Sequence, residues 1–87
     1  MLHTINSFVV WMLAMTKKKI LIEFGDKLRE LRKEKGLSQE ELSFKADLHR
    51  TYIGMIERAE KNITLTNIEK LAKALDVKVK TLLDDKL

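Results

Sequence analysis

Residues 36–62, GLSQEELSFKADLHRTYIGMIERAEKN, restrict the fold of this chain more than any other stretch, because they require two helices to meet across a connection of very few residues. Ser38 stands at an N-cap position and Glu41 follows three residues on, the reciprocal spacing of a capping box. Just ahead, Gly36 suits the left-handed residue that ends a preceding helix, and Arg32, Lys33 and Lys35 favour the negative end of that helix's dipole. The capped helix puts Leu42 and Ala46 on one face, at i and i+4, and runs out near residues 46–48. A second helix starts near His49, turns Ile53 and Ile56 inward, and leaves Arg50, Thr51, Gly54, Met55 and Arg58 on the opposite face. A turn this short makes the two helices cross steeply and presents the N-terminal half of the second one outward.

The rest of the chain reads as helix. Leu21, Phe24, Leu28 and Leu31 form an amphipathic stripe, with Glu23, Asp26, Lys27, Arg29 and Glu30 outside it, predicting a first helix over about 20–35. Thr64 is the N-cap of a further helix carrying Leu65, Ile68, Leu71, Ala72 and Leu75, which ends near residues 76–77. A last short helix over 79–85 offers Val79, Leu82 and Leu83. The expectation is an all-α fold of five helices over residues 20–87, with residues 1–19 as an extension. With 87 residues, 45% of them hydrophobic, the chain can bury one small core and forms one domain. Zero prolines and three glycines agree with short connections between helices. Cysteine is absent, which removes disulfides and thiolate metal sites and makes the chain compatible with the cytosol.

Residues 1–15, MLHTINSFVVWMLAM, stand outside this plan. Their uncharged apolar run, 8–15, is far short of the ~20 residues of a membrane span. Lys17, Lys18 and Lys19 follow the run instead of preceding it, the wrong polarity for a signal peptide. Two readings stay open: an extra element packing on the domain or on a partner chain, or translation that begins at Met15, which is favoured.

Net charge is +4, a balance that fits an anionic partner without requiring one. Its distribution is uneven: residues 1–37 carry eight Lys and Arg against four Asp and Glu, whereas residues 38–48 carry one against three. Most of the surplus therefore lies ahead of the two-helix unit, and geometry has to carry any claim of nucleic-acid binding.

From about residue 24 to 83 the strings LRKEKGLSQEELSFKADL and YIGMIERAEKNITLTNIEKLAKALDV resemble the Cro/cI-type, or Xre-type, helix-turn-helix regulators. Within that family, HRTYIGMIERAEKNIT is most similar to the controller proteins of restriction-modification operons. The resemblance implies a lambda-repressor-like DNA-binding domain whose second helix of the pair reads double-stranded operator DNA. Arg50, Thr51, Gly54 and Met55 match base-reading positions, Arg50 being suited to bidentate pairing with guanine O6 and N7. Ser38, Gln39, His49, Tyr52, Arg58, Lys61 and Asn62 match positions that hold phosphates, with the N-terminus of the capped helix adding its amides. For Tyr52 a half-buried ring on the helix flank is an equal reading, and for Arg58, Lys61 and Asn62 a solvated polar cluster is. His49 is an N-cap or first-turn residue within reach of a phosphate. Arg32 and Glu57 match a partly buried ion pair between the first helix and the recognition helix, so losing Glu57 should destabilise the fold and weaken DNA binding only indirectly.

Two positions depart from the family pattern. Gly54 replaces a polar side chain, so a base contact is lost and the backbone is expected to approach DNA more closely. Ala59 stands where glycine or asparagine ends the recognition helix at positive φ; alanine either strains the turn or prolongs the helix.

No His, Cys or carboxylate constellation has catalytic or metal-ligand spacing, so an enzyme is not expected, and neither a cofactor nor a metal nor a small-molecule effector is implied. One recognition helix reads only a few base pairs, and the resemblance therefore implies a homodimer on paired half-sites, with Leu82, Leu83 and Leu87 as its contact surface. The alternatives are an antitoxin-type regulator that also binds a protein partner, with residues 1–15 as docking segment, and a structural or RNA-associated helical module.

Overall fold

The computed structural model describes residues 7–8 and 18–83, so all of the extension over 1–15 but residues 7–8, the Met15 start and Leu87 lie outside the described residues. Over 18–83 the chain forms five helices: α1 (Lys19–Glu34), α2 (Gln39–Ala46), α3 (Arg50–Glu57), α4 (Leu65–Leu75) and α5 (Val79–Leu82). None of these is long and apolar enough to cross a membrane.

Helix starts follow the expected side-chain caps. Ser38 Oγ accepts from the Glu41 amide at 3.0 Å while Glu41 Oε1 accepts from the Ser38 amide at 2.8 Å, completing the capping box. Those bonds favour the ionised carboxyl and hold Glu41 below the ordinary carboxylate range. Thr64 Oγ1 accepts from the Asn67 amide at 3.1 Å at the start of α4.

All four longer helices stop by one device. A residue in the left-handed conformation, at Gly36, Asp47, Ala59 and Asp76, turns the chain out of α1, α2, α3 and α4 respectively. The next amide then reaches back to a carbonyl five residues earlier: Leu37 to Arg32 at 3.1 Å, Leu48 to Ser43 at 3.0 Å, Glu60 to Met55 at 2.8 Å and Val77 to Ala72 at 2.9 Å. Gly36 meets the requirement without a Cβ penalty and Asp tolerates it, but Ala59 does not, at a cost of roughly 1–2 kcal/mol. Of the two outcomes open at Ala59, the strained turn is therefore the one taken.

The three residues between α2 and α3 each have a separate task. Asp47 makes the left-handed turn, Leu48 packs on the core, and His49 caps α3, its Nδ1 accepting from the Thr51 amide at 3.4 Å. Phe24, Leu28 and Leu31 of α1, Leu42 and Ala46 of α2, Ile53 and Ile56 of α3, and Ile68, Leu71, Ala72 and Leu75 of α4 close the core, joined by Leu82 of α5. α3 lies against both α1 and α2, α4 covers α2, and α5 closes against α4 and α1.

Two apolar positions depart from expectation. Leu65, included in the α4 stripe, is exposed because it is the first helical residue, a turn beyond Ile68 where the core begins. Leu82, expected on a dimer surface, is 1% exposed and belongs to the chain's own core. Its neighbour Leu83, just past the end of α5, is 48% exposed.

Gly25 sets how closely α1 and α3 approach. A Cβ there would stand 2.6 Å from the Ile56 carbonyl oxygen and 2.8 Å from that of Glu57, both backbone atoms that cannot swing aside. Gly25→Ala should therefore force the helices apart and cost about 1–3 kcal/mol by urea unfolding, as overpacking does, despite alanine's better helix propensity. A variant as stable as the parent would show that the two helices are free to separate.

Candidate nucleic-acid interface

Glu57, the last residue of α3, has a fully buried side chain and joins three elements. From α1, Arg32 donates through Nε to Oε2 at 2.6 Å and through Nη2 to Oε1 at 3.0 Å, a bidentate fork that also sends Nη1 to the Leu37 carbonyl at 2.8 Å. From α2, Gln39 Nε2 donates to Oε1 at 3.0 Å. Arg29, one turn before Arg32, brings Nε to 3.5 Å of Oε1 and donates through Nη2 to the Glu57 carbonyl at 3.2 Å. Burial alone pushes this carboxyl up, but the hydrogen bonds from Arg32 and Gln39 and the charges of Arg32 and Arg29 outweigh it and hold the group below the ordinary carboxylate range. Among the described residues no buried side-chain nitrogen or oxygen lacks a partner.

The expected Arg32–Glu57 pair is thus present, within a cluster whose two further members, Arg29 and Gln39, the sequence does not reveal. Arg29 lies outside the apolar stripe of α1; its contact depends on where the α3 C-terminus passes, which α1 alone does not reveal. Gln39, expected to face a phosphate, has one of its amide hydrogens tied inward to Glu57. Its second amide hydrogen remains for an outside acceptor.

The opposite face of α3 carries Arg50 and Thr51, both exposed, and Met55, half-buried. Ser38 and His49 are exposed at the two helix starts, and Lys61 and Asn62 are exposed beyond the Ala59 turn. Tyr52 is half-buried, and its hydroxyl accepts from Asn67 Nδ2 at 3.0 Å, tying α3 to α4 while leaving the phenolic proton to donate. Gly54 corrects the expectation of an open backbone approach, because it is buried. Arg58 Nη1 lies 3.0 Å from where a Cβ would stand and Gln39 Oε1 lies 3.5 Å from it, so these two side chains roof the glycine.

A pair of short helices joined by three residues, the second braced from behind and open in front, defines a helix-turn-helix domain. The chain belongs to the helix-turn-helix family, whose model matches residues 28–82. It is 54% identical over 66 residues to the control protein C.BamHI of Bacillus amyloliquefaciens, covering 75% of this chain and 82% of that one. The crystal structure of the restriction-modification controller protein C.AhdI from Aeromonas hydrophila superposes with a TM-score of 0.71 at 53% identity, over 71% of this chain and 94% of that one. SinR, the master regulator for biofilm formation, solved in complex with DNA, superposes at 0.68 with 42% identity over 70% and 98% of the two chains.

Because Glu57 is the common acceptor, Glu57→Ala leaves Arg32 buried without its counter-charge and should cost about 3–5 kcal/mol in chemical denaturation. The folded pKa lies below the unfolded one, so the parent's contribution from this carboxylate is complete above the unfolded value of about 4.3 and is lost as pH falls through the lower folded value. Glu57→Gln should accordingly be less stable than the parent at neutral pH and lose less on acidification below pH ~4.3. Equal acid sensitivity of the two proteins would remove Glu57 from the account.

Proposed function

We propose that this chain is a sequence-specific DNA-binding transcriptional regulator that occupies operator half-sites as a homodimer and controls its own operon in the manner of a restriction-modification controller. The observation that carries this reading is α3 itself, which leaves Arg50 and Thr51 exposed and Met55 half-buried and is braced from behind by Glu57. Arg50 supplies a planar fork for a guanine edge, and Thr51 a hydroxyl and a methyl for a neighbouring base or phosphate. Gln39, held by Glu57, offers its second amide hydrogen to a phosphate beside the N-terminal amides of α2. Ser38, His49, Tyr52, Arg58, Lys61 and Asn62 surround this face and supply the remaining backbone contacts.

Dimerisation is supported by Val79 and Leu83, two exposed apolar residues four positions apart at α5. With Leu82 buried, the self-contact is assigned to these two and, outside the described residues, to Leu87. A two-fold dimer sets a pair of α3 helices about one DNA turn apart, as palindromic half-sites require.

Binding to the duplex upstream of the gene and to a random duplex, across salt concentrations, tests the reading. Arg50→Ala should lose about 1–3 kcal/mol on the upstream duplex and little on the random one, while Gln39→Ala should weaken both alike. Equal affinity of the parent for the two duplexes would reject sequence-specific regulation. In sedimentation, Leu83→Glu should shift the parent's dimer toward monomer; an unchanged dimer would move the interface elsewhere.

A further inference from the structure

Past the end of α3, two backbone features bring a carboxylate onto a cation of the proposed DNA face. Ala59, at φ 60°, folds the chain back so that the Glu60 amide bonds Met55. Arg58 Nε and Glu60 Oε2 are then 3.1 Å apart. Gly54, lacking a side chain, leaves the space in which the Arg58 guanidinium lies over α3, with Cζ 3.8 Å and Nη1 3.0 Å from the position a Cβ would take. A Cβ at 54 would press on that guanidinium and make it give by a few tenths of an ångström, and a straight continuation of α3 would carry Glu60 away from it. The side chains of Arg58 and Glu60 are 52% and 41% exposed, so water and salt reach the pair and it opens at small cost.

An exposed carboxylate on this cation has a direct effect on a duplex. A phosphate approaching Arg58 meets a like charge in the position it would take, and the cation it would neutralise is already neutralised from within. We infer that Glu60 is an internal stand-in for a DNA phosphate on Arg58, exchanged for the duplex backbone on binding and restored on release. It lowers affinity for every duplex alike and leaves sequence preference to Arg50 and Thr51. The inference rests on the DNA-binding reading above and adds to it a built-in limit on non-specific grip. Glu60 has no place in that reading, since an acidic side chain is not expected to face phosphate.

Glu60→Gln removes the charge and keeps the side chain's size. Full-length parent, Glu60→Gln, Arg58→Ala and the double variant would be titrated with the upstream duplex and with a random duplex over a range of salt concentrations, their thermal melts confirming that each is folded. Glu60→Gln should bind both duplexes about two- to fivefold more tightly at low salt. Its plot of log K against log salt should steepen by up to about one unit, the release expected for one more neutralised phosphate. The ratio between the two duplexes should stay as in the parent, and the gain should vanish in the Arg58→Ala background. Unchanged affinity and slope in Glu60→Gln would overturn the inference, as would an equal gain without Arg58, which would reduce Glu60 to general charge repulsion. A parent that binds neither duplex would overturn the DNA-binding reading itself and the inference with it.

Discussion

A buried carboxylate at the end of α3 is the interaction on which the arrangement of this domain depends. Glu57 accepts from Arg32 of α1 and Gln39 of α2, with Arg29 alongside, so that one side chain fixes α3 to both helices it packs against. Burying such a charge is costly, and only the bidentate geometry and the further donors make it tolerable. The apolar contacts of Ile53 and Ile56 hold α3 in the core but leave it free to slide or roll, because hydrophobic burial is non-directional. The ionic fork removes that freedom. Gly25 complements it: the missing side chain lets α1 come close enough to the α3 backbone for Arg32 and Arg29 to reach.

The second constraint is the way the helices end. The same left-handed turn recurs at Gly36, Asp47, Ala59 and Asp76, and in each case the residue after it bonds back into the helix it leaves. At Asp47 the turn sets the crossing of α2 and α3; at Ala59 it sets the surroundings of Arg58. Ala59 is the strained one of the four, and strain retained next to a proposed binding surface is consistent with a conformation needed there.

Much of this was legible in the sequence because it is local. Ser38 with Glu41, Thr64, Gly36 and the stripe from Phe24 to Leu31 act within one or two helical turns, and the structure places the corresponding helix ends where these residues predict. Arg32 and Glu57 were legible only through family resemblance, since nothing within α1 or α3 names its distant partner. What could not be read depends on how helices meet. Gly25 looks like a weak point in α1 until the α3 carbonyls are seen beside it. Leu82 ends a four-residue helix and Leu83 follows it directly, a stretch too short for periodicity to decide which one faces the core. Gly54 reads as open in the sequence because the side chains that roof it, Gln39 and Arg58, come from the start of α2 and from the C-cap of α3.

α3, held by Glu57, is a surface already assembled before DNA arrives. Nuclear magnetic resonance of the isotope-labelled protein, alone and with its upstream duplex, tests this most directly. A distinct, slowly exchanging Arg32 Nε–H signal should be present in the free protein and stay in place on binding, while the largest shifts fall on Arg50, Thr51, Met55 and the Gln39 side-chain amide. An Arg32 signal averaged with solvent in the free protein, or shifts centred on α4 and α5, would contradict it.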